Sequence, residues 1–174
     1  MTGRRSFVIA LIAIALLVGA AYWRTNRASE ASAASDQPIP FSHRVHAQAG
    51  VQCLFCHSSA LRSDVAGIPS VQKCMGCHQT IAADREPVKV LADYWQRQEP
   101  IHWQPVNTMP DFVFFSHQPH LGAGVSCETC HGNVGQMDVA RQQTNMDMGW
   151  CLDCHSKQPK EKTDRLADCL LCHK

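Results

Sequence analysis

All ten cysteines of this 174-residue chain fall into five copies of one pattern, Cys-x-x-Cys-His. The copies are Cys53-Leu-Phe-Cys56-His57, Cys74-Met-Gly-Cys77-His78, Cys127-Glu-Thr-Cys130-His131, Cys151-Leu-Asp-Cys154-His155 and Cys169-Leu-Leu-Cys172-His173. Two of them sit inside a longer repeat. FSHRVHAQAGVQCLFCH, Phe41 to His57, returns 74 positions later as FSHQPHLGAGVSCETCH, Phe115 to His131, with 10 of 17 positions identical, every Cys and His among them. A chain punctuated this often has little room for long elements, so its fold is set by whatever the five motifs hold.

Two thiols three residues apart lie on one side of a helical turn, and an imidazole follows at once. That spacing is the attachment signature of c-type haem: two thioethers fix the porphyrin and the adjoining His ligates its iron. Zinc sites pair two Cys-x-x-Cys units per ion, so an odd number leaves one unmatched, and zinc gives no reason for a His at one offset five times. A disulfide framework leaves the histidines unexplained as well. A redox dithiol is normally single and set in a thioredoxin-like background, which is absent here. The expected cofactors are therefore five covalently bound haem c groups. Their irons are expected to be ligated by His57, His78, His131, His155 and His173.

Such an iron keeps one axial position, and its occupant decides between electron transfer and substrate binding. Five histidines lie outside the motifs: His43, His46, His102, His117 and His120. His43 and His46 project from one helical face, yet one vacancy cannot take both. Each pair is therefore expected to span two irons. His43 would serve the iron of His57 and His117 that of His131. His46 would reach the iron of His78, and His120 that of His155 or His173. His102 lies outside the repeat. It competes with Met109, Met137, Met146 and Met148 for the last iron, since Met/His ligation is also common; an open position is the third option.

At the amino terminus, Ser6 to Trp23 are 18 residues without a charge. As a helix they reach about 27 Å at about 1.5 Å per residue, near the roughly 30 Å of a hydrocarbon core, with Tyr22 and Trp23 as interfacial aromatics. Residues 1–23 read as a membrane anchor that stays on the chain. A cleaved secretory signal, with Ala31-Ser32-Ala33 as a cleavage site, is the alternative. Arg4-Arg5 also resembles a twin-arginine signal, but that route carries folded chains, and haem attachment needs an unfolded one after export. Orientation follows from the motifs: a single-pass protein of the inner membrane with its soluble domain in the periplasm. Residues 24–40, small, polar and ending in prolines, read as a flexible tether, and residues 41–174 as a pentahaem cytochrome domain.

The His-x-x-His ahead of Cys-x-x-Cys-His resembles the class III multihaem cytochromes c. PDFVFFSHQPHLGAGVSCETCHGNVGQM followed by MGWCLDCHSKQP is more specifically similar to the pentahaem cytochrome c subunit of alternative complex III, a membrane quinol oxidoreductase. That likeness covers roughly residues 101–159. It implies electron transfer from a quinol-oxidising membrane complex to a downstream cytochrome or oxidase. The implied partners are membrane subunits of that complex, iron–sulfur or cytochrome proteins, and membrane lipid at the amino-terminal helix, with no nucleic acid. One departure stands out. Relatives of that subunit often carry a His just before the Pro-Asp-Phe stretch, where this chain has Val106-Asn107-Thr108, so one sixth ligand stays open. Related subunits serve other quinone-linked assemblies too.

The expected fold is small, all-α and largely irregular, with short helices around each motif, no sizeable sheet and a core packed by haem. A longer helix is expected over residues 82–98, with Pro87 in or before its first turn. The chain's net charge of +1 includes Arg4 and Arg5, so the part from Arg24 onward carries 1 − 2 = −1. Haem propionates would make the loaded protein more acidic, favouring basic docking surfaces. The rival function is a multihaem reductase of a small nitrogen or sulfur oxyanion, which needs an open iron.

Overall fold

The structure, a computed structural model, describes residues 11–23 and 37–173 and divides into two compact units, Met1–Gln37 and Pro38–Lys174. In the first unit, residues 11–23 form helix α1, with Leu16, Leu17, Tyr22 and Trp23 exposed. Among the described residues no helix is long and apolar enough to cross a membrane. The expected anchor starts ahead of residue 11, so residues 1–10 of that expectation lie outside the described residues, as does most of the tether.

The second unit is a run of short helices: α2 (His43–Gln48), α3 (Cys53–Cys56), α4 (Val71–His78), α5 (Glu86–Arg97), α6 (His117–Gly122), α7 (Cys127–His131), α8 (Met148–Ser156), α9 (Lys160–Leu166) and α10 (Cys169–Cys172). Two 3-10 turns, Ser58–Leu61 and Val134–Gln136, follow the motifs of the repeat. No strand occurs among the described residues. Every motif thus lies on a helix, as its spacing predicts. Local chemistry starts several of them: the side chains of Ser42, Ser70, Asp147 and Asp168 accept from backbone N–H groups in the first turns of α2, α4, α8 and α10. The repeated Ala-Gly-Val turn needs its glycine, because Gly50 and Gly124 have φ of 81° and 80°, the left-handed region.

The long helix starts four residues later than expected, at Glu86. Ala82 takes a left-handed φ of 55° and cannot begin a helix, while Pro87 sits in the first turn, where its missing N–H has no partner to lose. Gln98, at φ 54°, closes the other end.

Side chains alone make a slight core. Ile39, Met75 and Leu91 cluster between α4 and α5, Ala60 and Val88 are buried separately, and no described side chain is fully enclosed. Phe55, Phe112, Phe114 and Leu170 are more than half exposed, each within three residues of a motif cysteine or on the strand of chain touching one. Helices of 4 to 9 residues at the motifs are too short to hold themselves, and these apolar faces are what a large flat apolar group would cover.

The two repeats are interleaved. Helix α2 of the first packs on the Val134–Gln136 turn of the second, and α6 of the second packs on the Ser58–Leu61 turn of the first.

Candidate metal centres

In each motif helix the two thiols share one turn and the His ends or follows it. No disulfide joins any of the ten cysteines. Burial raises the thiols of Cys56, Cys74, Cys127, Cys130 and Cys151 above their ordinary range. Redox-active dithiols need the opposite shift.

The histidines share one arrangement. Ring Nδ1 meets a backbone carbonyl in seven of the ten: His46 with Ser42 at 2.8 Å, His57 with Gly67 at 2.6 Å, His78 with Ile81 at 2.9 Å, His117 with Asp64 at 2.7 Å, His120 with Ser116 at 2.7 Å, His155 with Leu166 at 3.0 Å and His173 with Phe112 at 3.1 Å. A carbonyl can only accept, so Nδ1 carries the proton and Nε2 keeps a lone pair. Metal-bound histidines are held in this way, with the second nitrogen donating to a fixed acceptor.

The rings come near one another in pairs. His46 and His78 have ring centroids 5.9 Å apart, His117 and His131 6.3 Å, and His120 and His155 6.1 Å. A metal–imidazole bond of about 2.0 Å, plus about 1.1 Å from nitrogen to ring centre, sets two imidazoles trans on one ion about 6.2 Å apart. All three separations lie within a few tenths of an ångström of that value. Where His120 could serve either of two irons on sequence grounds, its ring lies over His155. His43 lowers its pKa through burial, then through His57 and His46 beside it, and its Nδ1 is buried without a partner. His131 is lowered by burial, then by His117 and His57. Among the described residues no three of His, Cys, Asp or Glu gather around one point, as a tetrahedral ion requires. Donors that meet two by two, beside a thiol pair and bare apolar surface, fit a planar metal complex entered from both faces.

Phenylalanines set the ligand helices. Phe41 stacks on His46 (4.5 Å) and meets His43 edge-on (4.9 Å), while Phe115 does the same with His120 (4.8 Å) and His117 (4.8 Å).

The last centre differs. His173 makes its ring contact with Phe112, at 5.9 Å, and not with an imidazole. His102 is exposed in an open groove lined by Ile68, Tyr94, Trp95 and Trp103, with no ring contact to a motif histidine. Met109, Met137 and Met146 are half-buried and Met148 is exposed at the start of α8. Sequence reasoning missed the carbonyls that fix the tautomers, and it missed Asp64 and Asp138. The signal was present, because these aspartates stand 74 positions apart, in the register of the repeat, beyond the point where the motifs end.

Comparison with known proteins bears on the same residues. The family described as cytochrome c7 and related cytochrome c matches residues 113–174, and the class III cytochrome c family matches residues 21–102. The multihaem cytochrome c subunit of a menaquinone reductase from Nitratidesulfovibrio vulgaris (strain Hildenborough) is 32% identical over 162 residues, covering 80% of this chain and 77% of that protein.

Proposed function

From the premise that this chain belongs to the class III and cytochrome c7-related family of multihaem cytochromes c, we propose that it is the electron-transfer subunit of a quinone-linked membrane complex. Haem c is the family's cofactor, and one-electron transfer is the chemistry it supplies. The observation that carries the reading is the set of imidazole pairs whose ring centroids lie 5.9 to 6.3 Å apart.

Five haems are proposed, one per motif. Cys53 and Cys56, Cys74 and Cys77, Cys127 and Cys130, Cys151 and Cys154, and Cys169 and Cys172 would hold them. The axial pairs would be His43 with His57, His46 with His78, His117 with His131, and His120 with His155. The carbonyls on Nδ1 fix tautomer and rotation for six of these eight imidazoles, all but His43 and His131, and would keep those ligands in place when the charge between them changes. With both faces taken by the chain's own imidazoles, these sites would offer no position to a substrate, which disfavours an oxyanion reductase. The site of His173 would take His102 or one of Met109, Met137, Met146 and Met148 as its second ligand, or leave that position open.

Quinone chemistry would then belong to partner subunits. The likeness to a menaquinone reductase subunit favours electron delivery towards the quinone pool, from a cytochrome or iron–sulfur donor. The stretch over residues 101–159 favours a second reading, the opposite direction, in a complex of the alternative complex III kind. Residues 1–23 are proposed to anchor the chain in the inner membrane with the haem domain in the periplasm.

Mild detergent extraction of the native complex, with its companions identified, tests both. Reduction of menaquinone by the complex when supplied with reduced cytochrome supports the first reading, and cytochrome reduction by added quinol the second. High-spin ferric signals that shift with nitrite or sulfite would replace both with the reductase.

A further inference from the structure

Asp64 and Asp138 each follow a motif histidine by seven residues, yet each acts on the other repeat. The backbone carbonyl of Asp64 accepts from the backbone N–H of His117 at 3.2 Å and from its ring at 2.7 Å. The carboxylate of Asp138 accepts from Ser42 Oγ at 2.8 Å and from Arg44 Nε at 3.0 Å, and its second oxygen takes Arg44 Nη2. Met137, one residue earlier, accepts from the Arg44 backbone N–H at 3.0 Å. Ser42 is also the N-cap of α2. The carboxylate therefore grips the very residue that starts the helix carrying His43 and His46.

These contacts order the sites. Helix α2 holds His43 beside His57 and His46 over His78. Helix α6 holds His117 over His131 and His120 over His155. The crossed packing brings the middle together, where the thiols of Cys53 and Cys127 lie close enough to influence one another. At one end, Cys151 neighbours Cys172, and the Phe114 N–H donates to the Cys172 carbonyl at 2.7 Å.

We propose that the sites form one unbranched line, His78–His57–His131–His155–His173, joined at its middle by reciprocal clamps in which Asp138 positions the ligand helix of the first repeat and Asp64 that of the second. The line rests on the haem loading proposed above. It runs against chain order, since the second motif is an end and the first is interior. It also makes Asp138 a positioning residue for His57 and His78, although in sequence it belongs to His131.

The test uses the full chain, matured with haem in an oxidising compartment. The variants His43→Met, His46→Met, His117→Met and His120→Met each convert one site to Met/His ligation and so assign its low-spin ferric signal and midpoint. Asp138→Ala should then shift the signals assigned through His43 and His46 and leave those of His117 and His120 in place. Asp138→Asn, which keeps the size and some hydrogen bonding, should move the same two signals less, and serves if the alanine variant does not accumulate. In His46→Met the His78 site rises in potential and fills first. The His57 site should respond with a lowered midpoint, and the His155 and His173 sites should not. A response to Asp138→Ala confined to the His131 site, or coupling of His78 to His155 or His173, overturns the line while the haem reading stands. Chains recovered without haem overturn both.

Discussion

The two copies of the repeat solve one problem with unequal means. Residues 41–48 and 115–122 place their aromatic rings almost identically: the Phe41–His43 and Phe115–His117 planes both cross at 87°, and the stacked pairs tilt by 24° and 29°. These are the positions where the sequences agree. Where they part, so does the support. Arg44 has Gln118 as its counterpart, and only Arg44 reaches the opposite aspartate's carboxylate. Ser42 caps α2, whereas Ser116 makes no side-chain cap bond, Pro119 standing where Val45 offers its N–H. His117 Nδ1 has a carbonyl partner and His43 Nδ1 has none. The ligand constellation is thus written in the shared residues, and the stiffness behind it in the unshared ones.

The largest test asks whether the copies are equivalent where they agree. On the proposed loading, replacing Cys53 and Cys56, or Cys127 and Cys130, by Ala should remove one haem from the middle of the line. With so little side-chain core, either change is expected to prevent accumulation of folded protein, and any survivor should lack the mass of one haem by intact mass spectrometry. Tolerance of one replacement and not the other would break the equivalence. The next test works where they differ. On the proposed ligation, His43→Ala and His117→Ala should each open one iron and give a high-spin signal of equal size. His117→Ala also forfeits a hydrogen bond, and His43→Ala relieves an unpaired buried group. The second copy's variant should therefore be the less stable, by roughly 1–2 kcal/mol, in denaturant titrations.

This asymmetry explains how far the sequence could be read. Cysteine and histidine spacing predicts the helical motifs, the absence of sheet and the slight core, because each follows from a local pattern. It also pairs His46 with His78 and His117 with His131 in the same register in which their rings are found. The fork between His155 and His173 was not legible, because the choice depends on how distant segments pack, a long-range matter. The start of α5 was misplaced by four residues because Ala82 adopts a left-handed φ that its type does not announce. The tautomer-fixing carbonyls carry no residue identity at all, so no sequence pattern could mark them. The Asp138 carboxylate was legible in principle, since the 74-residue register carries on to an aspartate in both copies.

A further difference is read spectroscopically. His46 and His78 cross at 73°, while His120 and His155 lie within 23° and His117 and His131 within 13° of parallel. Axial imidazole orientation governs the anisotropy of a low-spin ferric iron. The His78 site should show the large-g, strongly anisotropic signal of crossed ligands in frozen-solution paramagnetic resonance, and the other two the rhombic signals of parallel ones. His46→Ala should remove the anisotropic signal and leave the rhombic pair.

The smallest effect concerns the carboxylate–guanidinium contact that only one copy possesses. Asp138 is held below the usual carboxylate range by hydrogen bonds from Arg44, then from Ser42, with the guanidinium charge adding to them. A depressed carboxylate pKa means that the folded state binds its proton less readily than the unfolded one. Its contribution is therefore complete above the unfolded value of about 3.9, and it is lost as the pH falls through the lower folded value. The pair is exposed, 44% and 56%, so salt screens it and the effect stays small. Arg44→Ala should lower thermal stability slightly at neutral pH and low ionic strength, and the difference should vanish in strong acid or high salt. Gln118→Ala, at the matching place in the other copy, should change nothing in either condition, because no carboxylate waits for it there. Equal losses from both variants would mean that α2 and α6 are secured alike, and that Asp138 does no more for its helix than the Asp64 carbonyl does for the other.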